Sequence, residues 1–141
     1  MVENGIFLDT SFILARLFPT DRHHARAVSL DAKLRPKQIP MITSRAIGLE
    51  IGAALSKSSV RHLGIQVLAA MEQDPRLDIV PLTEPLYAQA WNLYAARPDK
   101  SWSLTDCISF IIMQERGIRD ALTADVHFQQ AGFTALLLEE N

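Results

Sequence analysis

Short apolar runs alternate with longer segments of helical periodicity along this chain, and that alternation leaves few folds open. Gly5-Ile6-Phe7-Leu8 reads as a buried strand that ends at Asp9. Residues 10–18 read as a helix stopped by Pro19, and residues 21–33 as a second helix closed at the Arg35-Pro36 step. Residues 39–43 form a second expected strand. Ile47, Ile51 and Leu55 then recur every four positions, which predicts a helix over 44–57. Further helices are predicted over 60–73, 85–96 and 104–116, the last with Gly117 as its C-cap. Strands are expected at 77–82, 121–123 and 134–138, with a short helix at 126–130. Strands that alternate with helices imply a mainly parallel five-stranded sheet covered on both faces, a three-layer α/β/α sandwich.

The length of 141 residues fits one domain, and no repeat, linker or low-complexity tract divides it. Hydrophobic residues make up 48% of the chain, enough to build a core without disulfides. The single Cys107 cannot form an intramolecular bridge, and no Cys/His cluster has zinc-ligand spacing, which fits a reducing cytoplasm. No basic n-region opens the chain and no apolar run approaches a membrane span, so a cytoplasmic protein without a membrane partner is expected. The net charge of −2 argues at first against nucleic acid. If a metal neutralised four of the sixteen acids, however, the fourteen Lys and Arg would outnumber the rest.

Four acids fall where a strand ends or a helix begins: Asp9, Glu50, Asp106 and Asp125. In a parallel sheet, the carboxyl ends of strands and the starts of the following helices share one edge. Acids gathered there repel one another unless a cation lies between them. Asp9 reads equally as a helix N-cap, Asp106 completes the helix-start pattern Ser103-Leu104-Thr105-Asp106, and Asp125 reads as a cap of the short helix after it. Glu50 is harder to explain so, because Ala46, Ile47, Ala53 and Ala54 surround it on its helix. On a face packed against the sheet, a Glu requires a partner, a proton or a metal. Oxygen ligands at a rim suit Mg²⁺ or Mn²⁺. Ser11 and Thr123, each two residues from an acid, are candidates to orient carboxylates.

Leu8-Asp9-Thr10-Ser11, Glu50, Trp102-Ser103-Leu104-Thr105-Asp106-Cys107 and Leu122-Thr123-Ala124-Asp125-Val126-His127-Phe128 together resemble the PIN domain family. The likeness is greatest to the VapC-type ribonuclease toxins of type II toxin–antitoxin systems, and Trp102 to Phe133 carries its most specific part. The resemblance implies a Mg²⁺- or Mn²⁺-dependent endoribonuclease in which Asp9, Glu50, Asp106 and Asp125 are catalytic and metal-binding, with Ser11 in support. It also implies an RNA substrate, a cognate antitoxin whose tail fills the acidic cleft, and a homodimer. Family members often carry a further acid before the tryptophan motif; Asp99 and Ser101 stand there, and neither is assigned to the site.

Lys57 with Arg61, and Arg97 with Lys100, are candidate RNA phosphate contacts, though a plain solvated surface serves equally. No aromatic interleaving marks a stacking platform, and Trp91 and Tyr94 are expected in the core or a dimer interface. His23 and His24 point about 100° apart on a helix and are expected at a surface or partner contact. His127 is expected to be packed or hydrogen-bonded, and Cys107 to be buried and inert. Two other classes compete with the nuclease: a non-catalytic PIN-like module binding RNA or protein, and another phosphoryl-transfer α/β domain. An aspartyl-nucleophile phosphatase would want an acid two residues after Asp9, where Ser11 stands.

Overall fold

A computed structural model describes residues 5–139 of the chain. Five strands form one sheet: β1 (Ile6–Leu8), β2 (Met41–Ser44), β3 (Leu77–Val80), β4 (Asp120–Leu122) and β5 (Thr134–Ala135). Their order is β3-β2-β1-β4-β5 and every pairing is parallel. Leu8 pairs with Leu122, and the ladder extends one step further through the Asp9 amide, which donates to the Leu122 carbonyl at 3.2 Å. Asp9 and Thr123 therefore leave the sheet side by side.

The helices are α1 (Thr10–Leu17), α2 (His24–Leu34), α3 (Arg45–Ala54), α4 (Arg61–Gln73), α5 (Glu84–Ala96), α6 (Leu104–Arg116) and α7 (Val126–Gln130). The connections from β1 through β3 run outward in one direction, and the connection to β4 returns across β1. Right-handed crossovers then place α1 to α4 on one face and α5 and α6 on the other. The result is the expected three-layer sandwich. The reversal also creates a switch point between β1 and β4, where sheets of this kind bind ligands outside the strand carboxyl ends.

Local chemistry explains the element boundaries. The second helix starts at His24 rather than at residue 21, because Asp21 forms a turn that receives the His23 amide on its side chain and the His24 amide on its carbonyl. Pro81 ends β3 before Leu82. The last predicted strand is mostly wrong: only Thr134 and Ala135 pair, and Leu136–Leu138 turns into a 3₁₀ helix whose Leu137 amide bonds the Thr123 carbonyl. Three consecutive leucines carry no turn signal, so this tertiary contact could not be read locally. Gly117 closes α6 in the left-handed conformation at φ 65°. Gly5 enters β1 at φ 98°, and a Cβ there would meet the Pro40 carbonyl oxygen at 2.8 Å.

One buried hydrophobic cluster runs from Ile6 to Leu137 through all three layers. Phe110 is its aromatic hub, edge-on to both Trp102 and Phe128 at centroid distances of 5.1 and 5.0 Å. This packing anchors the N-terminal half of α6 and the start of α7, the two segments that carry Asp106 and Asp125. Among the described residues, no helix is long and apolar enough to cross a membrane.

Candidate metal centre

Asp9 leaves β1 only 6% exposed and does not cap α1, although it occupies the N-cap position. Its Oδ2 accepts instead from two hydroxyls, Thr123 Oγ1 at 2.7 Å and Ser11 Oγ at 2.9 Å. Each hydroxyl has one proton, so those protons point at Asp9 and the 3.0 Å approach between the two oxygens is no third bond. Their lone pairs in turn receive backbone amides: Asp125 N–H on Thr123 and Ala124 N–H on Ser11. The β4–α7 turn thus fixes the hydroxyls, and the hydroxyls fix the acid. Burial above all, with nearby Glu50 and Asp106, raises the Asp9 carboxyl against the downward pull of the two hydroxyls, and the balance leaves it at about 6.

Asp106 lies in the first turn of α6 and closes a reciprocal capping box. Its amide donates to Ser103 Oγ at 2.9 Å, and its Oδ2 accepts the Ser103 amide at 3.0 Å. Asp125 caps α7 by accepting the His127 amide on Oδ1 at 2.9 Å. The capping readings for Asp106 and Asp125 are therefore correct as far as they go, whereas that for Asp9 is not.

Glu50 sits in the second turn of α3 and accepts a hydrogen bond on Oε1 from the Thr10 hydroxyl. Its surroundings differ from the expected buried face. Ala46 and Ile47 are buried but Ala53 and Ala54 are exposed, so Glu50 is half-buried at the boundary. The apolar neighbours misled because small alanines are also tolerated at a helix surface.

A single pattern unites the four acids. Each has one oxygen engaged by a protein donor, while the other has no hydrogen-bond partner among the described residues: Asp9 Oδ1, Glu50 Oε2, Asp106 Oδ1 and Asp125 Oδ2. Half of each carboxylate is thereby oriented and half is without a protein donor among the described residues. Ligand-type atoms of Asp106, Asp125 and His127 also lie within 4.8 Å of one another. A buried acid held above its usual range, beside other acids and with no lysine or arginine paired to it among the described residues, fits a divalent cation bound through oxygen.

His127 joins this group, which its sequence position alone did not indicate. Its Nδ1 faces Asp106 Oδ2 at 2.9 Å and Asp125 Oδ1 at 3.3 Å, and against carboxylates it acts as donor. The available signal was its place two residues after Asp125, which puts its backbone on that cap without by itself directing the imidazole. The other histidines stand apart: His24 Nδ1 bonds the Ala15 carbonyl at 2.8 Å, and only the His23 backbone bonds Asp21. Cys107 is buried, and burial together with Asp106 pushes its thiol up, so it is no nucleophile.

The basic candidates do not join the acids. Arg61 is exposed and donates to the Ser56 carbonyl, and the exposed Lys57 side chain makes no ion pair among the described residues. Arg97 forms a two-pronged pair with Asp99, both contacts at 2.9 Å, and lies over the Trp102 ring at 5.2 Å. Lys100 is half-buried in the same loop. Trp91 and Tyr94 are not core residues, being 50% and 46% exposed.

Comparison with known proteins agrees with this architecture. The 23S rRNA-specific endonuclease VapC20 of Mycobacterium tuberculosis, in two strains, is 30% identical over 128 residues, covering 91% of this chain and 95% of that protein. The crystal structure of M. tuberculosis VapC20, a sarcin–ricin loop cleaving toxin, matches with a TM-score of 0.82 at 29% identity, covering 92% of this chain and 96% of that one. FitAcB from Neisseria gonorrhoeae shares the fold at 22% identity with a TM-score of 0.63, covering 92% of this chain and 94% of that one. The PIN domain profile matches residues 6–134, from the first strand of the sheet into the last. Since that span takes in four strands, the start of the fifth and the four acids at the switch point, the chain belongs to the PIN domain family.

Proposed function

We propose that this chain is a divalent-metal-dependent endoribonuclease and the toxin of a type II toxin–antitoxin pair, acting as one nuclease domain. The observation that carries the reading is the set of four half-engaged carboxylates at the β1–β4 switch point, in a chain 30% identical to a curated ribosomal RNA endonuclease. Asp9, Glu50, Asp106 and Asp125 would hold Mg²⁺ or Mn²⁺ through their free oxygens. Such a cation supplies Lewis acidity towards a phosphodiester oxygen and lowers the pKa of the attacking water.

The chain's own residues do the positioning. Thr123 and Ser11 hold Asp9 Oδ2 so that its other oxygen faces the site. The capping box performs the same task for Asp106, and the α7 cap for Asp125. Glu50, half-exposed and steadied by Thr10, is the acid best placed to take a proton from water. Cleavage then leaves a 5′-phosphate and a 3′-hydroxyl. Cations in Lys57, Arg61, Arg97 and Lys100 would meet flanking phosphates. The cognate antitoxin would cover the acids with a basic side chain, as electrostatic complementarity favours, and a homodimer in the cytoplasm is the assembly to expect.

The relatives make ribosomal RNA the first substrate to test. Purified ribosomes incubated with the chain and Mg²⁺ should yield a discrete rRNA fragment, absent with EDTA or with Asp9→Asn. Fragmentation that persists in EDTA and in Asp9→Asn would sink the proposal.

A further inference from the structure

We propose that the end of α5 and the α5–α6 loop form a base-stacking subsite, in which Tyr94, backed by Trp91, receives a nucleobase of single-stranded RNA beside the cleaved bond and Lys100 meets its phosphate. The inference rests on the ribonuclease reading above. Tyr87, Trp91 and Tyr94 recur at i, i+4 and i+7 and are 43%, 50% and 46% exposed, an aromatic stripe on one helix face. Trp91 and Tyr94 stack with ring centroids 5.8 Å apart and planes inclined by 27°. An exposed stack is already ordered, so a base joining it does not have to organise the rings.

Placement connects this stripe to the acids. α5 and α6 pack as a hairpin: a cleft holds Thr83 and Leu86 near the start of α5 beside Ile112 and Arg116 at the end of α6. The C-terminal end of α5 therefore lies at the acid-bearing edge. There a cavity of about 460 Å³ is lined by Tyr94, Arg97, Lys100 and Trp102, a size that suits a nucleotide. Its last lining residue, Trp102, precedes Ser103, whose amide binds the Asp106 carboxylate. One residue of backbone spans less than about 4 Å, so the Trp102 end of the cavity adjoins the cap that holds Asp106.

Charge favours RNA over a second copy of the chain as occupant. Arg97 pairs with Asp99, whose charge Lys100 also feels, so the loop sets two cations against one acid beside the aromatic wall. Cationic and aromatic side chains in alternation are how sequence-tolerant single-strand sites bind.

The test is binding of a fluorescent oligoadenylate of about ten nucleotides, within the usual span of single-strand sites, to the full chain in EDTA, where cleavage is silent. Tyr94→Ala should weaken binding about tenfold and Tyr94→Phe should leave it unchanged, since the ring and not the hydroxyl stacks. Lys100→Ala should lower the slope of log K against log salt by about 0.7, one phosphate. Binding by Tyr94→Ala within twofold of the parent, or no binding by the parent, overturns the proposal. So does sedimentation showing that Tyr94→Ala dissociates a dimer while Tyr94→Phe does not, which makes the stripe an interface between copies. Rribosomal cleavage is scored separately: a cleaving parent with Tyr94-independent binding removes the subsite alone. Tyr94-dependent binding by a parent that does not cleave removes the nuclease reading and leaves the subsite standing.

Discussion

The two halves of the acidic centre are built on opposite principles. Around Asp9, everything that touches the carboxylate is neutral: two hydroxyls, themselves pinned by backbone amides, in a space almost closed to solvent. Around Asp106 and Asp125, the carboxylates cap helices, share one imidazole and lie closer to water. The first half is rigid but electrostatically uncompensated. The second is already hydrogen-bonded to an imidazole and to two helix starts before any cation arrives. The comparison makes Asp9 the acid whose removal tests where affinity for a cation resides, with Asp106 and Asp125 as the contrasting pair.

The largest test of that division is Asp9→Asn. Rrna cleavage should fall by well over the 10–100-fold typical of losing an outer-shell partner. The metal-free variant should nevertheless melt higher than the parent at pH 7, because a neutral amide removes a buried charge. An inactive variant that also melts lower would place the strain elsewhere.

The pH dependence follows from the same acid. With Asp9 raised to about 6 from 3.8, the folded metal-free protein holds a proton that the unfolded chain has released between those values. That contribution to stability is full below about pH 4 and is lost as pH rises through 6, by about 3 kcal/mol. Subtracting the Asp9→Asn curve from the parent curve in urea melts isolates it. A cation displaces that proton, so stabilisation by Mg²⁺ should grow with pH across the same window. A difference curve flat from pH 4 to 7 would remove Asp9 as the uncompensated charge.

Two smaller changes sharpen the contrast. Thr123→Val keeps shape but removes a donor from Asp9 and an acceptor from the Asp125 amide, so the midpoint for Mn²⁺-induced thermal stabilisation should weaken 10–100-fold. His127→Ala should shift the same midpoint by less than about tenfold, since the Ser103 amide still holds Asp106 and the backbone of residue 127 still holds Asp125. If the His127 variant loses more than the Thr123 variant, the imidazole is itself a ligand and the division of labour is reversed.

Much of this was legible in the sequence, for reasons that also explain the gaps. The β1 run before Asp9, the Ser103–Asp106 cap and the Gly117 stop are local signals, and α6 and α7 fall at their expected boundaries. Gathering the acids needed only the rule that parallel strands share a carboxyl edge. What stayed hidden depended on contacts across the fold. Thr123 stood out as a candidate to orient a carboxylate, but that its hydroxyl reaches Asp9 over 114 positions, rather than the nearby Asp125, is set by the β1–β4 pairing. Of the two expectations for Trp91 and Tyr94, core or dimer interface, their exposure removes the core, which was expected because a tryptophan is highly buried on average. Here Leu86 and Ala90 fill the buried face of α5 instead.

The double duty of Asp106 has an evolutionary consequence. Its carboxylate closes the box at the start of α6, so a descendant that abandoned catalysis would still be selected to keep an acceptor there for folding. Glu50 caps no helix, and its single bond to Thr10 lies at a half-exposed boundary. Among relatives drifting towards inactivity, position 50 should diverge first and position 106 last. A retained acid at position 106 is therefore weak testimony to a working nuclease, and a retained acid at position 50 is strong.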